Sequence, residues 1–392
     1  MSAIGKARAA IQFAMSPLAE MRERSRKAPL YASIHSNLDP GLHLREAAAW
    51  LMRAQDFGSD RGVSYGARFG EGFLPSYPET TGYIISTFLD LAKHYNNSEY
   101  RQRAVEMGDW ESAIQMSSGA VMGGVYNTSP TPAIFNTGMV LLGWTALFKA
   151  GWERFRSSAE RAARWLLDMQ QPDGNWIRGN SQFANAASTV YNVKAAWGLA
   201  EIGSALHSPD FLAAAIRNAE FALTKQQSSG WFSDCCLEDP DHPLLHTIAY
   251  AMQGLIGIGE VAKRDDFIER ASRTADSLLR LMDDDGFIPG QINHDFTGAV
   301  KWCCLTGTAQ TSIVWSQLAR IKGDATYGQA ADRANQYLMA RHDLSNADPS
   351  IRGGVPGSWP VWGGYGKFKI LNWATKFFAD ALLLRIQQQS MG

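Results

Sequence analysis

Tyr77 and Glu79 stand two residues apart in the stretch Ser76-Tyr77-Pro78-Glu79-Thr80-Thr81-Gly82-Tyr83, which closes a Gly- and aromatic-rich run beginning at Phe57. A phenol and a carboxyl so placed can share or exchange a proton with a polyol. Proline is favoured in the first turn of a helix, so Pro78 puts both groups at a helix amino end, where the helix dipole favours negative charge. A denser stretch runs from Phe232 to His246, with Asp234, Cys235, Cys236, Glu238, Asp239, Asp241 and His242 before His246. The sequence after it, Thr247-Ile248-Ala249-Tyr250-Ala251-Met252, reads as a buried helix, which places the His246 imidazole at another helix start. Further on lie Gln291-Ile292-Asn293-His294-Asp295, then Lys301-Trp302-Cys303-Cys304. A Gly-rich lid follows from Gly353 to Lys367, carrying Trp359, Trp362 and Tyr365 as flat faces for stacking on sugars.

Two chemistries suit this inventory. Glycoside hydrolysis needs two carboxyls across the bond, and Glu79, Asp234 and Asp295 are available. Removal of a proton next to a carboxylate needs a base such as Tyr77, Tyr191 or His246, with His246 and Tyr77 as the leading acid and base candidates. It also needs neutralising groups around the uronate, for which Asn136, Asn372 and Lys376 are suited. The residue types favour the second. Tyr77, His246, Glu79, Asp234 and Tyr191 are the catalytic candidates. Asn136, Lys194, His242, His294, Lys301, Trp302, Trp359, Trp362, Tyr365, Asn372 and Lys376 are the candidates for holding substrate.

The elements that must carry these groups follow from a repeat. Arg161 to Trp176, RAARWLLDMQQPDGNW, reads as one helix stopped by Pro172-Asp173-Gly174, with Trp176 folding back over the turn. Imperfect copies recur about every 55 to 60 residues. They are EAAAWLMRAQ (Glu46 to Gln55), MGDWESAIQM (Met107 to Met116), NAEFALTKQQSSGW (Asn218 to Trp231), TADSLLRLMDDDGF (Thr274 to Phe287) and RANQYLMARH (Arg333 to His342). After each copy come an irregular loop and a second, more apolar helix rich in small residues. These second helices are expected at Glu79 to Tyr95, Ala133 to Ala150, Ser188 to Leu206, Leu244 to Ala262, Lys301 to Ile321 and Lys369 to Arg385. The predicted fold is all-α: an (α/α)6 toroid of six helical hairpins, with polar helices outside and small-residue helices inside. Polar residues at matching inner positions (Asn136 and Thr137; Tyr191, Asn192 and Lys194; His246 and Thr247; Thr306 and Gln310; Asn372 and Lys376) predict a wet cavity at one mouth.

The signal Ala-x-Trp-Leu-x-x-x-Gln-x-x-x-Gly-x-Trp at Ala163 to Trp176 resembles the repeat of triterpene cyclases. The six-hairpin plan resembles the wider set of α/α toroids, which includes prenyltransferase β subunits, lanthionine cyclases and many sugar hydrolases, lyases and epimerases. The resemblance implies the fold for nearly the whole chain and leaves the chemistry open. Asp234, Cys235, His246 and Cys303 resemble the zinc set of prenyltransferase β subunits, and Trp302-Cys303 resembles a zinc-binding stretch of lanthionine cyclases. The adjacent Cys-His pair of the latter and an aspartate-rich motif on an inner helix are both absent. No cofactor is therefore expected, with zinc as the alternative.

The chain has 392 residues and a formal net charge of −1, without a long basic block at either end, which argues against nucleic acid. Residues 1–45 are expected to form a helical segment packed on the ring, and 46–392 the single toroid domain. Arg8 to Arg26 is amphipathic and basic, so peripheral contact with an anionic membrane is the alternative for that segment. No apolar stretch is long enough to span a bilayer, no secretory signal is read at the start, and a cytoplasmic protein is expected. Three function classes fit, in this order: an enzyme acting on a uronic-acid-containing oligosaccharide or polysaccharide, a cyclase or transferase for an isoprenoid or peptide, and a noncatalytic scaffold. The polar, aromatic character of the expected mouth favours the first, since an isoprenoid cavity would be lined by Phe, Leu and Trp.

Overall fold

A computed structural model describes residues 37–126, 131–180, 184, 185, 187 and 189–391. The amphipathic stretch from Arg8 to Arg26, expected as part of the N-terminal segment, lies outside the described residues. Among the described residues six outer helices alternate with six inner ones. The outer set is α1 (Pro40–Asp56), α3 (Ser98–Ile114), α5 (Arg156–Met169), α7 (Pro209–Thr224), α9 (Asp265–Leu281) and α11 (Ala325–Met339). The inner set is α2 (Pro78–Tyr95), α4 (Ile134–Lys149), α6 (Val193–Ala205), α8 (Leu245–Ala262), α10 (Leu305–Lys322) and α12 (Asn372–Met391). Each inner helix packs on the next, and α12 packs back on α2, so the inner ring closes. The ring of six expected from the repeat is the fold of the chain, with its first helix beginning at Pro40 rather than at residue 46.

Composition explains the two layers. The outer helix α5 buries Ala159, Ala162, Ala163 and Leu166 on one face and leaves its arginines outside. The inner helix α8 is buried on every side from Leu245 to Gly259, as an element surrounded by neighbours must be. Small residues let inner backbones touch: a Cβ on Gly143 would sit 2.1 Å from the Gly82 carbonyl of the facing helix. The tightest antiparallel pairs join each inner helix to the outer helix that follows it, and α1, the first helix among the described residues, packs on α12. The long outer-to-inner loops are thereby gathered at one mouth.

The repeat's fixed residues turn out to be ring joints. Gln55, Gln115, Gln170 and Gln226 each donate Nε2 to a backbone carbonyl of the next outer helix, at Arg103, Ser158, Ala214 and Arg270, over 2.8 to 3.2 Å. Gly119, Gly174, Gly230, Gly286 and Gly353 all have φ between +80° and +93° and press against that same neighbour, Gly353 meeting Glu46 of α1 to close the circle. Trp176 is fully buried and its Nε1 donates to Leu166 O at 2.9 Å, folding back over the turn as expected. A Cβ on Gly174 would need a left-handed backbone and would lie 2.3 Å from Arg217 O. Gly174→Ala is therefore expected to lower stability by about 2–4 kcal/mol, read as a drop in the urea midpoint at unchanged m-value. An unchanged midpoint would show that the joint is not strained in this way.

Strands are confined to the loops, seven of them and none longer than three residues among the described residues. One ribbon matters for the site. β1 (Gly66–Arg68) of the first long loop pairs antiparallel with β2 (Gly72–Phe73) and with β7 (Lys369–Leu371) of the sixth, setting Arg68 opposite Lys369. A second pair, β5 (Cys303–Cys304) with β6 (Ser358–Trp359), ties the fifth loop to the sixth. No helix among the described residues is long and apolar enough to cross a membrane.

Candidate active site at the amino ends of the inner helices

A cavity of about 450 Å³ opens where the inner helices begin, lined by Tyr65, Arg68, Tyr77, Glu79, Phe135, Tyr191, His246, Tyr250, Tyr365, Lys369 and Trp373 among others. Tyr77 is the extended residue that caps α2, and Glu79 lies in that helix's first turn. The Tyr77 hydroxyl donates to Glu79 Oε2 at 2.9 Å. Burial pushes the Glu79 carboxyl up to about 7, opposed in part by the Tyr77 hydrogen bond, so desolvation outweighs the stabilisation a helix amino end offers an anion. Burial and the neighbouring Glu79 also push the Tyr77 phenol well above its usual range. Tyr77 is thus a proton donor at neutral pH, and Glu79 the group that can exchange its proton. This inverts the sequence-based expectation that Tyr77 would serve as base.

His246, in the first turn of α8, puts Nδ1 2.5 Å from Gln310 Oε1 of α10. Burial pushes its pKa down to about 4, against the Gln310 hydrogen bond, so the imidazole is neutral at physiological pH. Aromatic rings continue the wall: His246 lies 4.3 Å from Tyr250 and 5.4 Å from Tyr365 between ring centres, and Tyr65 lies 5.1 Å from Trp373. Trp373 Nε1 donates to the Tyr365 hydroxyl at 2.9 Å, joining lid to helix. Across the rim, Arg68 and Lys369 are register partners on β1 and β7, and Lys369 Nζ donates to the Tyr65 hydroxyl at 3.3 Å.

Of the residues singled out from sequence, Tyr77, Glu79, Tyr191, His246 and Tyr365 line this cavity. The rest have other places. Asn136 reaches the Tyr77 hydroxyl while donating to Met122 O, and Asn372 donates to Ser64 O and Thr80 Oγ1, bracing the first loop. The polar ring is partly a set of such braces: Thr81, Thr137 and Thr375 each accept from a loop N–H, at Val63, Val121 and Val355. Lys194 and Lys376 line a separate cavity of about 930 Å³ with Trp197, Glu201 and Lys149, toward the opposite mouth, and do not border the first. Asp234 has φ +56° and pairs with Lys225 at 2.9 Å outside the lining. His242 pairs with Asp239 at 2.8 Å, and it lines a shallow outer pocket with His294, Asp295 and Trp231. Lys301 is exposed, Trp302 packs against Gly290 and Gly364, Trp359 holds β6, and Trp362 is half-exposed.

The thiols do not gather either. Cys235 Sγ donates to Thr247 O at 3.4 Å, Cys303 Sγ lies 3.1 Å from Thr308 Oγ1, and all four cysteines are buried. Among the described residues no three of His, Cys, Asp and Glu are placed to hold one metal ion, so the zinc set suggested by resemblance is not assembled. Sequence reasoning missed Arg68, Lys369, Tyr65, Tyr250, Phe135 and Trp373. Tyr250 had a signal, since it lies one helical turn beyond His246 on the same face.

No protein-family model matches the chain, and no curated protein matches it by sequence. Solved structures do match in fold, and they define the class as an α/α toroid. An unsaturated glucuronyl hydrolase specific for heparin superposes with TM-score 0.71 at 14% identity, covering 89% of this chain and 97% of its own. The unsaturated glucuronyl hydrolase of a Bacillus species, responsible for the degradation of glycosaminoglycan, gives 0.70 at 15%, covering 90% and 97%. A cellobiose 2-epimerase from Bacillus thermoamylovorans gives 0.69 at 10%, covering 88% and 98%.

Proposed function

We propose that this chain is a carbohydrate-active enzyme for a uronic-acid-containing glycan, working by proton transfer at the carbon next to the carboxylate, as a lyase or C5-epimerase does. One observation carries the reading. Arg68 and Lys369, two like charges set directly across a strand pair, border a cavity whose opposite groups are Tyr77, Glu79 and His246. Like charges in that register repel; Glu71 offsets Arg68 alone, at 2.8 Å on the exposed side, and a substrate carboxylate would offset both cations. Neutralising it lowers the barrier to removing the proton at C5, because the enolate that forms carries its new charge onto the carboxylate oxygens. Glu79, poised near neutrality, takes or returns that proton, and Tyr77 donates to the oxygen atoms of substrate or to Glu79. Return of the proton to the other face is epimerisation; departure of the C4 substituent is lysis.

Glu79 is the single carboxyl among the described residues of the cavity, which disfavours hydrolysis by a carboxyl pair. The same fact supports a second reading. An already unsaturated uronide carries an enol ether, which one acid can protonate before water adds, and the glucuronyl hydrolases named above act on unsaturated uronides. A screen of acidic oligosaccharides in deuterated water separates the outcomes. Deuterium at C5 without cleavage marks epimerisation, new double-bond absorbance marks lysis, and loss of that absorbance marks the second reading. Turnover confined to neutral sugars would overturn both. Arg68 and Lys369 take the charge-neutralising role, so the proposed chemistry uses no metal or organic cofactor, and the reading keeps a cytoplasmic location for breakdown of imported oligosaccharides or for glycan synthesis. Chelator dialysis and Cys303→Ser are accordingly expected to leave turnover unchanged; loss of turnover with loss of stoichiometric zinc in Cys303→Ser would promote the transferase class instead.

A further inference from the structure

His246 is held from behind by a chain of amides that ends on a lysine. Beyond its contact with Gln310 Oε1, Gln310 Nε2 donates to Gln253 Oε1 at 3.3 Å, and the same oxygen accepts from Lys194 Nζ. All four residues are buried, and they come from three successive inner helices: Lys194 from α6, His246 and Gln253 from α8, Gln310 from α10.

An amide can be turned end for end and a neutral imidazole has two tautomers, so shape alone does not set the direction of such a chain. Lys194 sets it. Its Nζ lies 5.3, 5.3 and 5.1 Å from the ring centres of Trp197, Tyr250 and Phe377, whose electron-rich faces favour an ammonium and would repel the lone pair of a neutral amine. Burial and the like charge of Lys376 pull the other way, lowering the affinity of Lys194 for its proton, while Asp380 favours the charged form. The three faces, the Gln253 oxygen and the charge of Asp380 act together for the ammonium at the edge of the second cavity. An ammonium only donates, so Gln253 must turn its oxygen to Lys194. Gln310 then turns its NH2 to that oxygen, and its own oxygen to His246. An oxygen facing Nδ1 requires the proton there.

We propose that Lys194 is a positioning residue that, through Gln253 and Gln310, fixes His246 as the Nδ1–H tautomer and leaves Nε2 as the ring's acceptor. The inference rests on the reading of His246 as an acid–base group at the proposed site, although the tautomer belongs to the resting protein and can be measured without substrate. With both amides reversed, Nδ1 would accept from Gln310 and the proton would move to Nε2, converting the acceptor into a donor. The lysine that sequence placed beside the substrate thus acts from the far side of the floor.

Nitrogen-15 NMR of histidine-labelled protein at neutral pH reads the tautomer directly, the His246 signals being assigned by their loss in His246→Asn. The wild-type protein is expected to show a protonated Nδ1 and a pyridine-like Nε2. Lys194→Met, which keeps length and removes the donor, is expected to introduce the Nε2–H form. Gln253→Glu, which still offers oxygen to both neighbours, is expected to keep the wild-type pattern. A wild-type Nε2–H form or imidazolium would overturn the proposal, as would a folded Lys194→Met protein with pure Nδ1–H. Should Lys194→Met fail to fold, Gln253→Met decides in the same way: a mixture supports the chain and pure Nδ1–H overturns it. If the tautomers behave as expected and no uronate is turned over, the positioning chain stands and the proposed function falls.

Discussion

Glu79→Gln is expected to fold, to lose turnover by about a hundredfold to ten-thousandfold, and to be more stable than the wild-type protein at alkaline pH. The loss follows from removing the one cavity carboxyl that can exchange a proton near neutrality. The gain in stability follows from the same shift. The folded-state pKa, about 7, lies above the ordinary glutamate value of 4.5, so between those values the folded protein holds a proton the unfolded chain has released. Stability therefore falls as pH rises through that window, by at most about 3–4 kcal/mol, and this group leaves it constant on either side. Glutamine cannot ionise, and its carbonyl still accepts from Tyr77, so the variant escapes that loss.

Two measurements check this. Thermal or urea unfolding of both proteins at pH 4.5 and pH 8 should show a difference that grows with pH in favour of the variant. The rate profile of the wild-type enzyme should turn near pH 7 on one limb, and Tyr77→Phe should move that limb upward, since the phenol's hydrogen bond holds the carboxyl's pKa down. A Glu79→Gln protein that is less stable at every pH would mark the residue as a structural brace. Activity retained within a few fold would remove it from the chemistry. The opposing signs for stability and rate are the mark of a group held in an unfavourable environment for the sake of its reaction.

The fold was legible because the repeat encodes joints, and joints need particular residues. A Gln that reaches the next helix's carbonyl and a Gly that lies against its backbone cannot drift far in sequence, as Gln170 and Gly174 illustrate. The site was half legible. Inner-helix starts could be found from periodicity, which brought Tyr77, Glu79, Tyr191 and His246 to one mouth, where they line the same cavity. Direction within the first turns could not. Lys194 follows a short 3₁₀ turn at Val190–Asn192, so its long side chain runs beneath the floor rather than into the cavity. Two conspicuous tryptophans of the fifth and sixth loops lie elsewhere for another reason. Trp302 and Trp359 pack loop against loop, while Trp373, with no Gly-rich setting to mark it, forms the wall. Arg68 and Lys369 meet only because strands 300 residues apart pair across the ring's closure, and no local pattern announces such a pairing.

That pair supplies the other large effect. Arg68→Gln or Lys369→Gln alone should weaken binding of an acidic oligosaccharide by about ten- to a hundredfold, the scale of one hydrogen bond to a charged group. The double substitution should cost more than either, though less than their product, because each cation partly takes over the other's contact. If the cations also hold the enolate, kcat must fall along with the rise in KM, since the charge they meet is greater in the transition state than in the substrate. Binding should weaken with salt in the wild-type protein and lose most of that dependence in the double variant. The controls come from chemistry and from the fold. A methyl-esterified uronate, which has no anion to offer, should not distinguish wild type from variant. Each single substitution should leave stability unchanged or raise it by a few tenths of a kcal/mol, since it relieves two like charges across one register and gives up only the exposed Arg68–Glu71 pair in one case and the long Lys369–Tyr65 hydrogen bond in the other. A double variant that binds the acidic ligand like the wild-type protein would mean that the ribbon merely closes the ring, and the uronate reading would go with it.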